Sequence, residues 1–189
     1  GVQKDHAKAY NWYHKAAQQN NLIAQNNLGV LLEKGIGIQQ DYLEAVTWYQ
    51  KSASQGYAVA QNNLGVCFSE AKGVEQDHFA AFKWFQLAAK QNYPQSWNNL
   101  GNAYFTGNGV KKDHKQSFFW YQKAAEAGIS DAQYNLGNCY YLGYGTCVDQ
   151  GLAIQWFERA ALQGNISAQY NLGVAYQSGI EGKVEVEKA

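Results

Sequence analysis

One block of nine residues returns five times at a fixed interval, and this limits what the chain can fold into more than any other property. Beginning at Ala24, Ala60, Ser96, Ala132 and Ala168, the sequence reads AQNNLGVLL, AQNNLGVCF, SWNNLGNAY, AQYNLGNCY and AQYNLGVAY, 36 residues apart each time. A second motif keeps the same period. Trp12, Trp48, Trp84, Trp120 and Trp156 are each followed by Tyr or Phe and then by small residues, as at Ala16-Ala17 and Ala124-Ala125. A repeat of this length is one supersecondary unit, and it buries its apolar face only by stacking on copies of itself.

The loops between the motifs read GIGIQQD, KGVEQD, GNGVKKD and GYGTCVD, ending at Asp41, Asp77, Asp113 and Asp149. An aspartate there predicts a helix N-cap, because its carboxylate accepts hydrogen bonds from the first free backbone donors and sits at the positive end of the helix dipole. The helix that follows carries apolar or small residues at three- and four-residue spacing, as at Ala45, Trp48, Tyr49 and Ser52. Asn20, Gly56, Asn92, Gly128 and Gly164 tolerate the left-handed conformation that ends a helix. A second helix is expected to open around Ala24 and its equivalents. Pro94, the single proline, falls just before such an opening, where a missing N–H costs nothing.

Each unit is therefore two antiparallel helices, with Leu28, Leu64, Leu100, Leu136 and Leu172 forming a core between layers. The predicted fold is all-α, a superhelical α/α solenoid of antiparallel helix pairs with a 36-residue repeat. Gly29, Gly65, Gly101, Gly137 and Gly173 lie inside helices, where glycine costs about 1 kcal/mol relative to alanine. Their recurrence predicts the close approach of an aromatic ring from the companion helix. The whole of 1–189 reads as a single repeat domain: 1–23 holds the second helix of a truncated repeat, 24–59, 60–95, 96–131 and 132–167 are full repeats, and 168–189 is a partial one. From about Gly179 onward, where Glu181 replaces a loop glycine, the reading is a frayed end or incomplete cap.

Composition narrows the function. At 46% hydrophobic and 15% aromatic residues the chain has the makings of a folded core rather than of disorder. Fifteen Lys plus Arg balance fifteen Asp plus Glu, so no net field draws in a nucleic acid or an anionic membrane surface. No apolar run approaches the ~20 residues of a membrane-spanning helix, and the opening GVQKDHAKAY has neither the basic nor the apolar segment of a signal peptide. A leading glycine without any Met reads as a stretch of a longer chain, which leaves cytoplasmic, periplasmic and secreted locations open. Three cysteines make no disulfide framework; Cys67 and Cys139 share one repeat position and read as buried thiols, while Cys147 falls in a loop.

No constellation for catalysis, metal or cofactor binding emerges. The glycine pairs Gly35-Gly37, Gly107-Gly109 and Gly143-Gly145 follow helices rather than strands and lack the third glycine of a dinucleotide cradle, so they read as turns. His6, His78 and His114 each follow a capping aspartate on separate layers and are expected to be exposed rather than to ligate a metal. There is no nucleophile elbow and no His-Glu-x-x-His. Asn27, Asn63, Asn99, Asn135 and Asn171 admit two readings: a hydrogen bond to a neighbouring unit's backbone, or a ladder of amides gripping a bound peptide.

The combination A-Q-x-N-L-G-x-x-Y, G-x-G-V-x-x-D and A-x-x-W-Y-x-K-A-A-x-x-G closely resembles the Sel-one-like repeat family, relatives of the tetratricopeptide repeats. The resemblance spans nearly the whole chain and implies a right-handed superhelix serving as an adaptor in protein complexes. Some cysteine-rich bacterial members carry a disulfide within each unit and are linked to penicillin binding. Here the cysteine pair does not recur from unit to unit, since only 132–167 holds two cysteines, Cys139 and Cys147, so a small-ligand or hydrolase role of that kind is not carried over.

Function is expected where the units differ. Positions two, six and nine after the opening alanine share one helical face, which the resemblance implies is concave. They are Asn26, Val30 and Glu33, then Asn62, Val66 and Ser69, then Asn98, Asn102 and Phe105, then Tyr134, Asn138 and Tyr141, then Tyr170 and Val174. Amides and aromatics accumulate toward the C-terminal half, and such side chains suit the recognition of a peptide. The expected binding residues are therefore Asn98, Asn102, Phe105, Tyr134, Asn138, Tyr141 and Tyr170, with a protein or peptide as partner. An alternative is a structural array that self-associates as a homo-oligomer through its exposed ends.

Overall fold

A computed structural model describes residues 5–177. The frayed end expected from about Gly179 lies outside the described residues. Among these the chain forms ten α-helices and no strand: α1 His6–Gln18, α2 Leu22–Lys34, α3 Tyr42–Ser54, α4 Ala58–Glu70, α5 His78–Lys90, α6 Pro94–Thr106, α7 His114–Glu126, α8 Ser130–Leu142, α9 Gln150–Leu162 and α10 Ile166–Gln177. The odd-numbered helices carry the tryptophan motif and the even-numbered ones the Leu-Gly motif. The described residues form two compact units that divide between Ser96 and Trp97, within α6.

The local signals act as expected. Oδ1 of Asp41 accepts from Glu44 N, and that of Asp149 from Leu152 N, each at 2.9 Å. Asp77 and Asp113 each accept two backbone N–H groups. Asn20, Gly56, Asn92, Gly128 and Gly164 all take positive φ just beyond the odd-numbered helices. The even-numbered helices open two residues earlier than expected, at Leu22, Ala58, Pro94, Ser130 and Ile166. At α2 and α10 the cause is visible: Asn21 caps Ala24 N, and Asn165 caps Ala168 N, so the opening alanine is already the third helical residue.

In the first unit, α1 to α5 pack as consecutive pairs. Ser52 at the end of α3 donates to the carbonyl of Leu22 at the start of α2 (2.7 Å), so these neighbours run antiparallel. Leu28 and Leu64 are fully buried there, each contributing roughly 1.5–3 kcal/mol through burial of its side chain. The second unit repeats the scheme with Leu100 and Leu136 buried, and Leu172 half-buried. The intrahelical glycines are notches for rings. A Cβ added to Gly29, Gly65 or Gly137 would fall 2.6 Å from Tyr49, Phe85 or Phe157, and Gly101 meets Tyr121 in the same way. The loop glycines have a packing role as well, since a Cβ at Gly73 or Gly145 would collide with the carbonyl of Tyr42 or His114.

The glutamine of the repeated A-Q pair is also structural. Gln25, Gln61, Gln133 and Gln169 donate to Ala17 O, Ala53 O, Ala125 O and Ala161 O at 3.2–3.3 Å, adding a second donor to carbonyls that already accept the backbone N–H of Asn20, Gly56, Gly128 and Gly164 at the ends of the odd-numbered helices.

Candidate functional site

In the first unit the variable face is closed by its own bonds. Asn26 and Asn62 are buried, and Asn63 Nδ2 donates to Asn26 Oδ1 at 3.0 Å. The Tyr49 hydroxyl donates to Glu33 Oε2 at 2.7 Å, and Lys72 Nζ lies 3.4 Å from Glu33 Oε1 and 2.8 Å from Glu70 Oε2. Burial, with the bonded Glu33 carboxylate second, pushes the Tyr49 phenol far above its ordinary value.

In the second unit α6 and α8 present the amides and rings. Asn135 Nδ2 donates to Asn98 Oδ1 at 3.1 Å and to Asn102 Oδ1 at 3.4 Å, while the Tyr121 hydroxyl donates to Asn102 Oδ1 at 2.7 Å. At Asn63, Asn135 and Asn171 the recurring asparagine thus reaches a neighbouring unit's side-chain amide, which corrects the expected bond to backbone, whereas Asn27 accepts from Asn26 of its own helix. Phe105 is half-buried beside the loop, its ring centroid 5.1 Å from His114 and 5.3 Å from Tyr144. Tyr134 is half-buried as well and packs on Phe157 at 5.9 Å.

Of the seven expected residues, Asn138 and Tyr141 come together at an open pocket. It has a volume of about 230 Å³ and is lined by Asn138, Tyr141, Leu142, Ile154, Phe157, Asn171, Val174 and Ala175. Its walls are apolar, its polar groups are the Asn138 and Asn171 amides and the Tyr141 hydroxyl, and none of its lining residues carries a formal charge. Asn171 Nδ2 and Asn138 Oδ1 are 3.4 Å apart, a longer contact than the one that engages Asn102. Asn98, Asn102, Phe105 and Tyr134 lie outside this pocket, and so does Tyr170, although it is 71% exposed. Ile154 and Phe157 on α9 escape the reading of the face because they belong to the other helix of the pair. The only signal for Phe157 is its place after Trp156, where Tyr13, Tyr49 and Tyr121 stand in other units and Phe85 in one.

Among the described residues no group of three or more His, Cys, Asp and Glu is placed to hold a metal. The expectation of exposed first-turn histidines fits His6 but not His78 or His114, which are half-buried. His114 stacks on Tyr144 at 5.0 Å, and its Nδ1 is buried without a hydrogen-bond partner. No helix among the described residues is long and apolar enough to cross a membrane.

The model of the Sel1 repeat matches at residues 1–21, 22–57, 58–93, 96–129, 130–165 and 166–189. The chain belongs to the Sel1 repeat family. No curated protein matches the chain. Two solved structures are 37% identical to it. One is a Sel1 repeat protein from Oxalobacter formigenes, with TM-score 0.90 over 98% of this chain and 73% of that one. The other is a protective antigen of uropathogenic Escherichia coli strains displaying an SLR fold, with TM-score 0.82 over 97% of this chain and 39% of the antigen. An immunity protein from Pseudomonas aeruginosa, at 22% identity and TM-score 0.61 over 88% of this chain and 62% of its own, shares the fold alone. Sel1 repeats are typically scaffolds for protein interaction.

Proposed function

We propose that this Sel1 repeat chain is a non-catalytic scaffold that binds a peptide or protein segment on the exposed face of its even-numbered helices, within the C-terminal unit. The supporting observation is the open pocket between α8, α9 and α10, where Asn138 and Tyr141 stand beside an apolar wall. A concave apolar site with a few convergent polar groups is the ordinary form of a binding site. In the first unit, by contrast, the Glu33 carboxylate at the register of Tyr141 is already bonded to Tyr49 and Lys72 within the protein. The experiment is a selection of displayed peptides against the immobilised chain, followed by affinity measurement on Asn138→Ala and Tyr141→Ala. Both are expected to weaken the selected peptides about tenfold or more. Undiminished affinity in both would place the binding surface elsewhere.

Self-association is the second reading, favoured by the exposed apolar side chains of α10, where Ile166 is 80% and Tyr170 71% exposed. Contiguous exposed apolar surface marks interaction sites. Light scattering over a range of concentrations decides it, because a chain that stays monomeric throughout does not associate.

A further inference from the structure

The odd-numbered helices set one aromatic ring per layer against a glycine notch, at Tyr49, Phe85, Tyr121 and Phe157. Two of these rings carry a hydroxyl, and both hydroxyls are spent on the variable face: Tyr49 donates to Glu33, and Tyr121 to Asn102. Phe85 has Val66 at the register of Asn102, so its missing hydroxyl leaves no amide wanting a partner. Phe157 differs from all three. Asn138 occupies the register of Asn102, Tyr141 that of Glu33, and with no hydroxyl to fill the space between ring and amide the pocket opens there.

The geometry points to residue 157 as the determinant of binding in this layer: phenylalanine leaves a socket for an uncharged apolar side chain of an extended peptide, whose backbone groups meet the Asn138 and Asn171 amides. This inference rests on the scaffold reading above and adds the gate and the chemistry of the ligand. The size fits, since an apolar cavity of roughly 150 Å³ accommodates a benzene-sized ring and this one measures about 230 Å³. The walls of Leu142, Ile154, Phe157, Val174 and Ala175 offer no partner to a charge, and burying an uncompensated charge is costly. A side chain of the size of Phe, Leu or Ile therefore fits, and Asp or Lys does not. The rim amides supply both a donor and an acceptor, as a peptide group requires.

N-acetylphenylalaninamide, one apolar side chain between two peptide groups, is the probe. Titrated into the isotope-labelled chain, it is expected to shift the side-chain amide signals of Asn138 and Asn171, and N-acetylaspartic acid α-amide, whose side chain is a carboxylate at neutral pH, to leave them in place. Phe157→Tyr should weaken the probe by about tenfold or more while preserving the circular dichroism and melting profile, because Tyr49 and Tyr121 already hold that ring in other layers. Equal binding to Phe157→Tyr and to the parent chain overturns the gate. No shift at Asn138 and Asn171 up to the solubility limit overturns the assigned ligand. The scaffold reading is judged separately, by the selected peptides and Tyr141→Ala: peptides that need Tyr141 but ignore Phe157→Tyr sink this inference and leave that reading standing.

Discussion

Tyr49 lays its ring on the backbone of Gly29 so closely that a Cβ at Gly29 would fall 2.6 Å from Tyr49 Cε1. Alanine at Gly29 gains about 1 kcal/mol of helix propensity. It also forces a fully buried ring to move, and overpacking of that kind costs about 1–3 kcal/mol. Gly29→Ala is expected to lower the urea midpoint, and Gly137→Ala likewise. Gly173 has no atom within 4 Å of such a carbon, so Gly173→Ala should raise the midpoint instead. Matching shifts at Gly29 and Gly173 would refute the notch.

The bond from Asn135 to Asn98 joins the amides of two layers at 3.1 Å. Asn135→Ala should cost about 1 kcal/mol. If the amides hold each other, a double-mutant cycle of Asn98→Ala with Asn135→Ala returns a coupling of about 0.5 kcal/mol or more. Strict additivity would mean that the two side chains stand apart and that the ladder is available to a ligand.

The helix pairs, the aspartate caps, the left-handed stops and the ring notches were legible in the sequence because each is local chemistry written again every 36 residues. The pocket was not. Face arithmetic along one helix reaches Asn138 and Tyr141, but it is blind to the companion helix, which supplies Ile154 and Phe157 to the same pocket. The same arithmetic assigns Phe105 to the groove, although its ring lies among His114 and Tyr144, contributed by the next helix and loop. It also cannot tell an amide that waits for a ligand from one already held, and Asn102 is held by Tyr121 and Asn135. Repetition reveals what stabilises a layer, whereas a binding site depends on side chains drawn from several helices at once.

Ala71 closes α4 at φ 57°, in the left-handed region where Gly35 and Gly143 close α2 and α8 at 65° and 74°. An L-residue with a Cβ pays about 1–2 kcal/mol there. Ala71→Gly is therefore expected to stabilise the chain by about 1 kcal/mol, read as a higher melting temperature. An unchanged or lower value would contradict the assigned backbone conformation.

Cys67 and Cys139 are buried and Cys147 is exposed. Burial pushes both inner thiols up from 9.0 to about 12, and only the thiolate attacks a disulfide reagent. Near neutral pH the native chain should consequently titrate a single thiol, Cys147, and the urea-unfolded chain all three. The same shift carries a sign for stability. The fold favours the protonated thiol, so the unfolded chain releases its protons first as pH rises; the contribution of these two groups is complete below about pH 9 and is lost progressively toward about pH 12. Urea midpoints should fall over that window, and the variant Cys67→Ala with Cys139→Ala should show a shallower fall. The decline is reduced rather than abolished, because the phenols of Tyr49 and Tyr121 are raised by burial too and act in the same direction. A variant whose midpoint falls as steeply as that of the parent chain would show that the two thiols do not differ between the folded and unfolded states.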